Sequence, residues 1–133
     1  CNTKYGTVSL VTHLEKAGLR AKCLNGDMEQ AARNRIMGAY RNNEFDVLVA
    51  TDVAARGIDV EQVDAAFNYE IPNENEYYLH RIGRTGRAGR EGVSFVFYSE
   101  NERQRLKTIL KYSGNSYHPI KVNEDGSFTE CEL

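Results

Sequence analysis

The chain has 133 residues, 41% of them hydrophobic, which suits a single domain with a core of its own. Its formal charge is -2, its three cysteines stand far apart with no C-x-x-C pair, and no apolar run nears the ~20 residues of a membrane span. These features argue against a disulfide framework, a zinc site, a signal peptide and a membrane anchor, and they fit a reducing cytoplasm.

From the N-terminus, Tyr5 to Ala17 reads as a helix, with Val8, Val11 and Leu14 near helical spacing and Gly18 as its stop. Ala21–Leu24 reads as a short strand. Asp27, with Gln30 three residues on, has the form of a capping box that opens a helix to about Arg41, its inner stripe being Ala32, Ile36, Ala39 and Tyr40. Asp46 to Thr51 (DVLVAT) is a β-rich apolar run of the kind covered on both faces. Ala65–Tyr69 is the next strand, Asn75–Ile82 a helix, Gly92–Tyr98 a strand, and Asn101–Lys111 a helix with Leu106, Ile109 and Leu110 inward. Strands alternating with helices predict an α/β fold: an open, mostly parallel sheet flanked by helices and joined by right-handed crossovers.

Two features depart from a complete domain of this type. Cys1-Asn2-Thr3-Lys4 reads as a strand-to-helix loop with no strand ahead of it, so the sheet is expected to lack its first strand. Residues 113–133 are polar and carry Pro119 and Gly126, which predicts weak order or one short strand at Pro119–Val122.

The stretch Tyr77–Arg90 (YYLHRIGRTGRAGR) places arginines at 81, 84, 87 and 90 and glycines at 83, 86 and 89, with no acidic residue among them. Glycine at every third position weakens a helix by about 1 kcal/mol each. A helix that dissolves into a loop after Ile82, its guanidinium groups aimed outward, is therefore expected. Unneutralised arginines suit phosphate, because the guanidinium is a rigid fork of donors. In an open parallel sheet, ligands collect at the carboxyl ends of the strands, here Cys1–Lys4, Asn25–Asp27, Thr51–Asp59 and Tyr69–Pro72. The chain contains no Gly-x-x-x-x-Gly-Lys-Ser/Thr loop to cradle the β- and γ-phosphates of a nucleotide. It reads as half of a phosphate site.

Thr51-Asp52-Val53-Ala54-Ala55-Arg56-Gly57-Ile58-Asp59, followed by His80-Arg81-Ile82-Gly83-Arg84-Thr85-Gly86-Arg87, resembles the DEAD-box ATP-dependent RNA helicases of superfamily 2, in their second, C-terminal RecA-like domain. The likeness extends to Asn25–Arg33, to Asn68-Tyr69-Glu70 with Pro72, and to Cys1–Lys4, and so covers about Cys1 to Leu110. Asn25 stands where the family usually has His. On this resemblance, residues 1–112 are the RecA-like helicase domain and 113–133 a C-terminal extension.

The resemblance implies a two-domain ATPase. An N-terminal RecA-like domain of the same protein would hold ATP and Mg²⁺, and closure on single-stranded or duplex RNA would bring the two halves together. It implies that Arg87 is the arginine finger, Arg84 its companion at the γ-phosphate, and Asp59, with Gly57 beside it, the carboxylate near the ribose. His80 counts with the catalytic set and, with Arg81 and Gln30, with the coupling between domains. Gly26, Asp27, Thr51, Asn2, Thr3, Arg56 and Arg33 fall where the family meets the RNA backbone. No metal ligand and no membrane contact are expected of this chain, and on its own it is expected not to hydrolyse ATP.

The general physics agrees: a positioned arginine can be worth about 10³–10⁵ in rate where charge develops on phosphoryl oxygens. Plainer roles stay open at several positions: Arg84 and Arg87 could line a solvated surface, and His80 could be only a hydrogen-bonding residue at a helix end. Asp27 would serve as an N-cap with no ligand, and Asp52 as an N-cap for the turn at Val53–Arg56. Two other functions also stay open: a stand-alone RNA- or protein-binding module without catalysis, and the matching half of a DNA-acting superfamily-2 helicase. The missing first strand further raises strand exchange or dimerisation.

Overall fold

The computed structural model describes residues 1–56, 63–83 and 92–133. Helix α1 (Lys4–Lys16) leads to strand β1 (Ala21–Leu24), helix α2 (Gln30–Arg41) and strand β2 (Val47–Ala50). A single turn, α3 (Asp52–Ala55), follows; then come β3 (Ala65–Asn68), α4 (Asn75–Ile82), β4 (Val93–Val96) and α5 (Arg103–Ser113). The tail adds β5 (Ile120–Val122) and β6 (Phe128–Glu130).

Two βαβ units carry the architecture. β1 and β2 pair in parallel from Ala21–Val47 to Leu24–Ala50, with α2 between them in sequence. β3 and β4 pair in parallel from Ala65–Val93 to Asn68–Val96, with α4 between them. α1 packs on β1 and β2, while α4 packs on β3 and α5. Each unit has its own core: Leu24, Met37 and Ala54 in the first, and Ile71, Tyr78, Leu106, Ile109 and Leu110 in the second. The inward positions expected for the last helix are thus confirmed. On the opposite face of the second pair, Phe67 stacks on Phe95 and Phe97, with centroids 5.1 and 6.2 Å apart.

The helix ends follow from local chemistry. α1 starts at Thr3, whose Oγ1 accepts the Gly6 N–H at 3.0 Å. It stops at Gly18 (φ +88°), where the Gly18 and Leu19 N–H groups return to the carbonyls of Glu15 and Leu14. The same double closure ends α2, with Asn43 at φ 57° in the glycine position.

Several expectations change. The mostly parallel sheet is present, among the described residues, as separate two-stranded pairs, with residues 1–2 lying between the ends of β2 and β3: the Cys1 backbone nitrogen donates to Ala50 O at 3.0 Å and the Asn2 amide to Ile71 O at 3.0 Å. Val8 is 49% exposed, and Thr7 is the buried residue of its turn. The most buried residue of α2 is Met37, outside the expected stripe; Ile36 and Tyr40 pack at the margin of that core.

Asp27 is not the N-cap of α2. Asn25 Oδ1 takes the Asp27 N–H at 3.1 Å and shapes a turn, the helix begins only at Gln30 after an extended Glu29, and no side chain caps it. Asp52 is not a cap either, because Thr51 Oγ1 already accepts the Ala54 N–H at 3.3 Å. The strand expected near Pro119 forms at Ile120–Val122 and pairs antiparallel with Phe128–Glu130, a strand not foreseen. Asp125 and Gly126 (φ +84°) make the turn between them, with the Ser127 N–H on Asp125 Oδ1 at 2.9 Å.

Candidate functional site

The carboxyl ends of the strands and the loops beside them meet around one guanidinium. Arg81, at the end of α4, donates through Nε and Nη2 to both carboxylate oxygens of Asp52, at 2.6 and 2.7 Å. Its Nη1 reaches Glu70 O at 2.6 Å and Asn68 Oδ1 at 3.5 Å, and Nη2 also reaches Asn2 Oδ1 at 2.7 Å. A guanidinium has five N–H donors, and here each has an acceptor. The two charged side chains are only 11% and 13% exposed. The expectation that this arginine row aims outward is therefore corrected for Arg81. Position 81 follows a turn of α4 whose Tyr78 is buried in the second core, so the helix phase turns the guanidinium inward.

Arg81 ties α4 to three parts of the chain: the opening loop through Asn2, the β2–α3 junction through Asp52, and the end of β3 through Asn68 and Glu70. Asn68 is fully buried, and its Nδ2 continues to Phe95 O on β4 at 3.2 Å. Gly6 lets α1 pass close by: a Cβ there would sit 2.9 Å from Glu70 Oε1.

The other candidate residues lie along the same edge. Thr51 is half-buried and caps α3, and Arg56 is exposed at the end of that turn. Arg33, on α2, donates through Nη2 to Ala54 O at 3.0 Å and ties α2 to α3. Gly26 and Asp27 are exposed in the β1–α2 loop, where the Asp27 carboxylate pairs with Lys4. Both ends of the Asn2 amide and the Thr3 hydroxyl are engaged inside the chain. Gln30 donates to Asn34 Oδ1 at 2.9 Å along the surface of α2. His80 is exposed on α4. Gly57, Asp59, Arg84 and Arg87 lie outside the described residues.

Three structural residues were given no role from sequence. Asn25 is buried at the end of β1. Asn68 ends β3 inside the Arg81 cluster. Arg105 of α5 ties down the β3–α4 loop through Asn75 Oδ1 at 2.7 Å and Asn73 O at 3.0 Å. An Asn directly after an apolar strand is the one local signal, and it marks Asn25, whose Oδ1 closes a turn on the Asp27 N–H; no local signal marks Asn68, whose amide serves β4 and Arg81.

Among the described residues, no group of three His, Cys, Asp or Glu side chains could hold a metal ion. The Asp52 carboxylate of the cluster is already neutralised by Arg81. These residues do not fit a Mg²⁺ site.

Residues 1–89 match the family described as the helicase conserved C-terminal domain. The chain is 45% identical over 124 residues to eukaryotic initiation factor 4A of Caenorhabditis elegans, covering 93% of this chain and 30% of that protein. It is 45% identical over 131 residues to the ATP-dependent RNA helicase DeaD of Buchnera aphidicola, covering 98% of this chain and 22% of that one. Among solved structures, a DEAD box protein from Methanococcus jannaschii superposes with a TM-score of 0.80 at 35% identity over 87% of this chain and 32% of its own. The Escherichia coli DEAD-box protein SrmB, bound to regulator of ribonuclease activity A, gives 0.79 at 38% identity over 84% and 66%. Dbp5 of Saccharomyces cerevisiae, bound to RNA and ADP BeF3, gives 0.79 at 35% over 88% and 32%.

The chain has the RecA-like fold of a helicase C-terminal domain. It belongs to the DEAD-box RNA helicase family. It spans less than a third of the length of the curated relatives named here.

Proposed function

We propose that this chain, with residues 1–112 as the RecA-like domain and 113–133 as an extension, is the ATPase-completing, RNA-binding half of a cytoplasmic DEAD-box RNA helicase. The observation that supports it is the convergence of the β2–α3 junction and the end of α4 on the Arg81–Asp52 pair. The two segments with the phosphate and ribose candidates leave from just beyond that pair, at Arg56 and Gly83.

In this reading, ATP and Mg²⁺ are held mainly by an N-terminal RecA-like domain. Arg87 acts as the arginine finger and Arg84 as its companion on the γ-phosphate. Asp59, beside Gly57, meets the ribose, and His80 and Gln30 serve contact between the domains. RNA, which accompanies the similar yeast Dbp5, would run along the exposed edge at Gly26, Asp27, Thr51, Arg33 and Arg56. There it is read through its sugar-phosphate backbone, by N–H and hydroxyl donors and by arginine charge. The Asp27 carboxylate would repel phosphate, so any contact there falls to its backbone. Asn2 and Thr3 support that edge from within. Strand edges on β2 and β3 with no described partner offer pairing to a further strand, from the same polypeptide or from a second copy.

The test is Arg87→Ala in the helicase that carries this domain. RNA-stimulated ATP hydrolysis should be abolished with RNA affinity largely kept, and near-normal turnover would sink the assignment. Comparing stimulation by single-stranded RNA and DNA separates an RNA helicase from a DNA-acting relative, because 2′-hydroxyl contacts favour RNA.

A further inference from the structure

We infer that Asn25 is a further RNA-binding residue: its side-chain amide donates through Nδ2 to a phosphodiester oxygen held over the Gly26–Asp27 turn. The inference rests on the reading of that edge as the RNA side, given under Proposed function.

Asn25 follows β1 directly and is 5% exposed. Its Oδ1 accepts the Asp27 N–H at 3.1 Å and its carbonyl accepts the Met28 N–H at 3.3 Å, so the amide plane is fixed against the turn. An Asn amide carries two N–H donors beside its acceptor oxygen. Among the described residues, no acceptor meets Asn25 Nδ2. A donor left unpaired at a buried position is costly, and native chains keep few of them. One half of this amide shapes the turn, and the other half is left for an acceptor from outside.

The surroundings fit an anion. Nothing lies within 4 Å of a Cβ built on Gly26, so the turn is open on its outer side. Helix α2 begins at Gln30 with no side-chain cap, which leaves its first N–H groups to water or a ligand. The Thr51 N–H donates to Leu24 O at 3.4 Å, and this bond sets the Asn25 end of β1 beside the β2–α3 junction. Lys4 pairs with the Asp27 carboxylate and offsets the charge that would otherwise repel phosphate. A phosphodiester oxygen only accepts, and every free backbone and amide group named here only donates.

The test uses the helicase that carries this domain, with single-stranded oligouridylate as the probe. Asn25→Asp keeps the acceptor that closes the turn and replaces the donor by an oxygen; Asn25→Leu removes both. Each should weaken oligouridylate binding about 10- to 100-fold, with KM for ATP unchanged. Asn25→His should restore binding at about pH 8, where a neutral ring offers one nitrogen to accept and one to donate. With selective ¹⁵N-asparagine labelling, the Asn25 side-chain NH₂ signal of the parent should move when oligouridylate is added, and stay in place with inorganic phosphate. That measurement stands even if a variant melts too low to assay. Parental RNA affinity in Asn25→Asp overturns the inference, as does an NH₂ signal unmoved by bound RNA. An equal shift with inorganic phosphate marks a general anion site and overturns the RNA assignment. If Arg56→Ala also binds like the parent, the reading of the edge fails. If Arg56→Ala loses affinity and Asn25→Asp does not, the inference about Asn25 alone fails.

Discussion

Arg81 and Asp52, 29 residues apart in sequence, meet in a two-pronged ion pair of 2.6 and 2.7 Å in a mostly buried setting. Removing one partner of a buried pair leaves an uncompensated charge and costs about 3–5 kcal/mol. Arg81→Ala is therefore expected to destabilise the chain by that amount in urea titration, and Asp52→Ala by a similar amount. Replacing both by apolar residues should cost less than either single change. Additive losses in the double variant would show that the partners act separately.

Gly18 and Gly114 end α1 and α5 at φ +88° and +68°. No atom lies within 4 Å of a Cβ built on either residue, so the cost of adding one is backbone strain alone. Gly18→Ala and Gly114→Ala should each lose about 1–2 kcal/mol. Asn43→Gly, at φ 57°, should be neutral or stabilising. Thermal melts of the three variants give the comparison.

Ser99 donates its N–H, at 2.8 Å, and its hydroxyl, at 2.6 Å, to the Glu102 carboxylate in the turn before α5. The Ser99 hydroxyl, and then its N–H, hold the Glu102 carboxyl below the usual range. A folded-state pKa below the unfolded one stabilises above the unfolded value of about 4.3, and that contribution is lost as pH falls through the folded value. Ser99→Ala should lower stability by about 0.5–1 kcal/mol at neutral pH. It should also flatten the decline in melting temperature below about pH 4.3. An acid slope identical to the parent's would remove Glu102 from the account.

Arg87→Lys should recover little of the turnover lost in Arg87→Ala, since a point charge does not replace a planar fork on phosphate. Where an arginine finger is worth about 10³–10⁵ in rate, the Lys variant should sit much nearer the Ala variant than the parent. Single-turnover ATP hydrolysis with saturating RNA measures the difference. Full rescue by Lys would mean that the position needs charge and not geometry.

Much of the fold is legible in the residue order. Gly18 stops α1 because a left-handed closure favours a residue without a Cβ, and Leu106, Ile109 and Leu110 face inward because their spacing makes one stripe on α5. Asn75–Ile82 forms a helix with the bounds its pattern predicts. The family is legible too, since Thr51–Asp59 and His80–Arg87 are contiguous motifs whose order needs no folding to be seen.

What sequence could not supply was the direction of a side chain. Arg81 stands in a row with Arg84, Arg87 and Arg90 and reads as one more outward cation, while Asp27 and Asp52 both read as helix caps. A cap is a local bond: at Asp52 the Thr51 hydroxyl had already taken the N–H, and at Asp27 the helix starts too late, at Gln30, for its carboxylate to cap it. The freed carboxylates found partners 23 and 29 residues away, Lys4 for Asp27 and Arg81 for Asp52. Such pairings follow from which strand ends lie side by side, and local pattern carries no record of that. The family motifs are written in the residue types, whereas the inward turn of Arg81 onto Asp52 depends on how the packed helix α4 is turned.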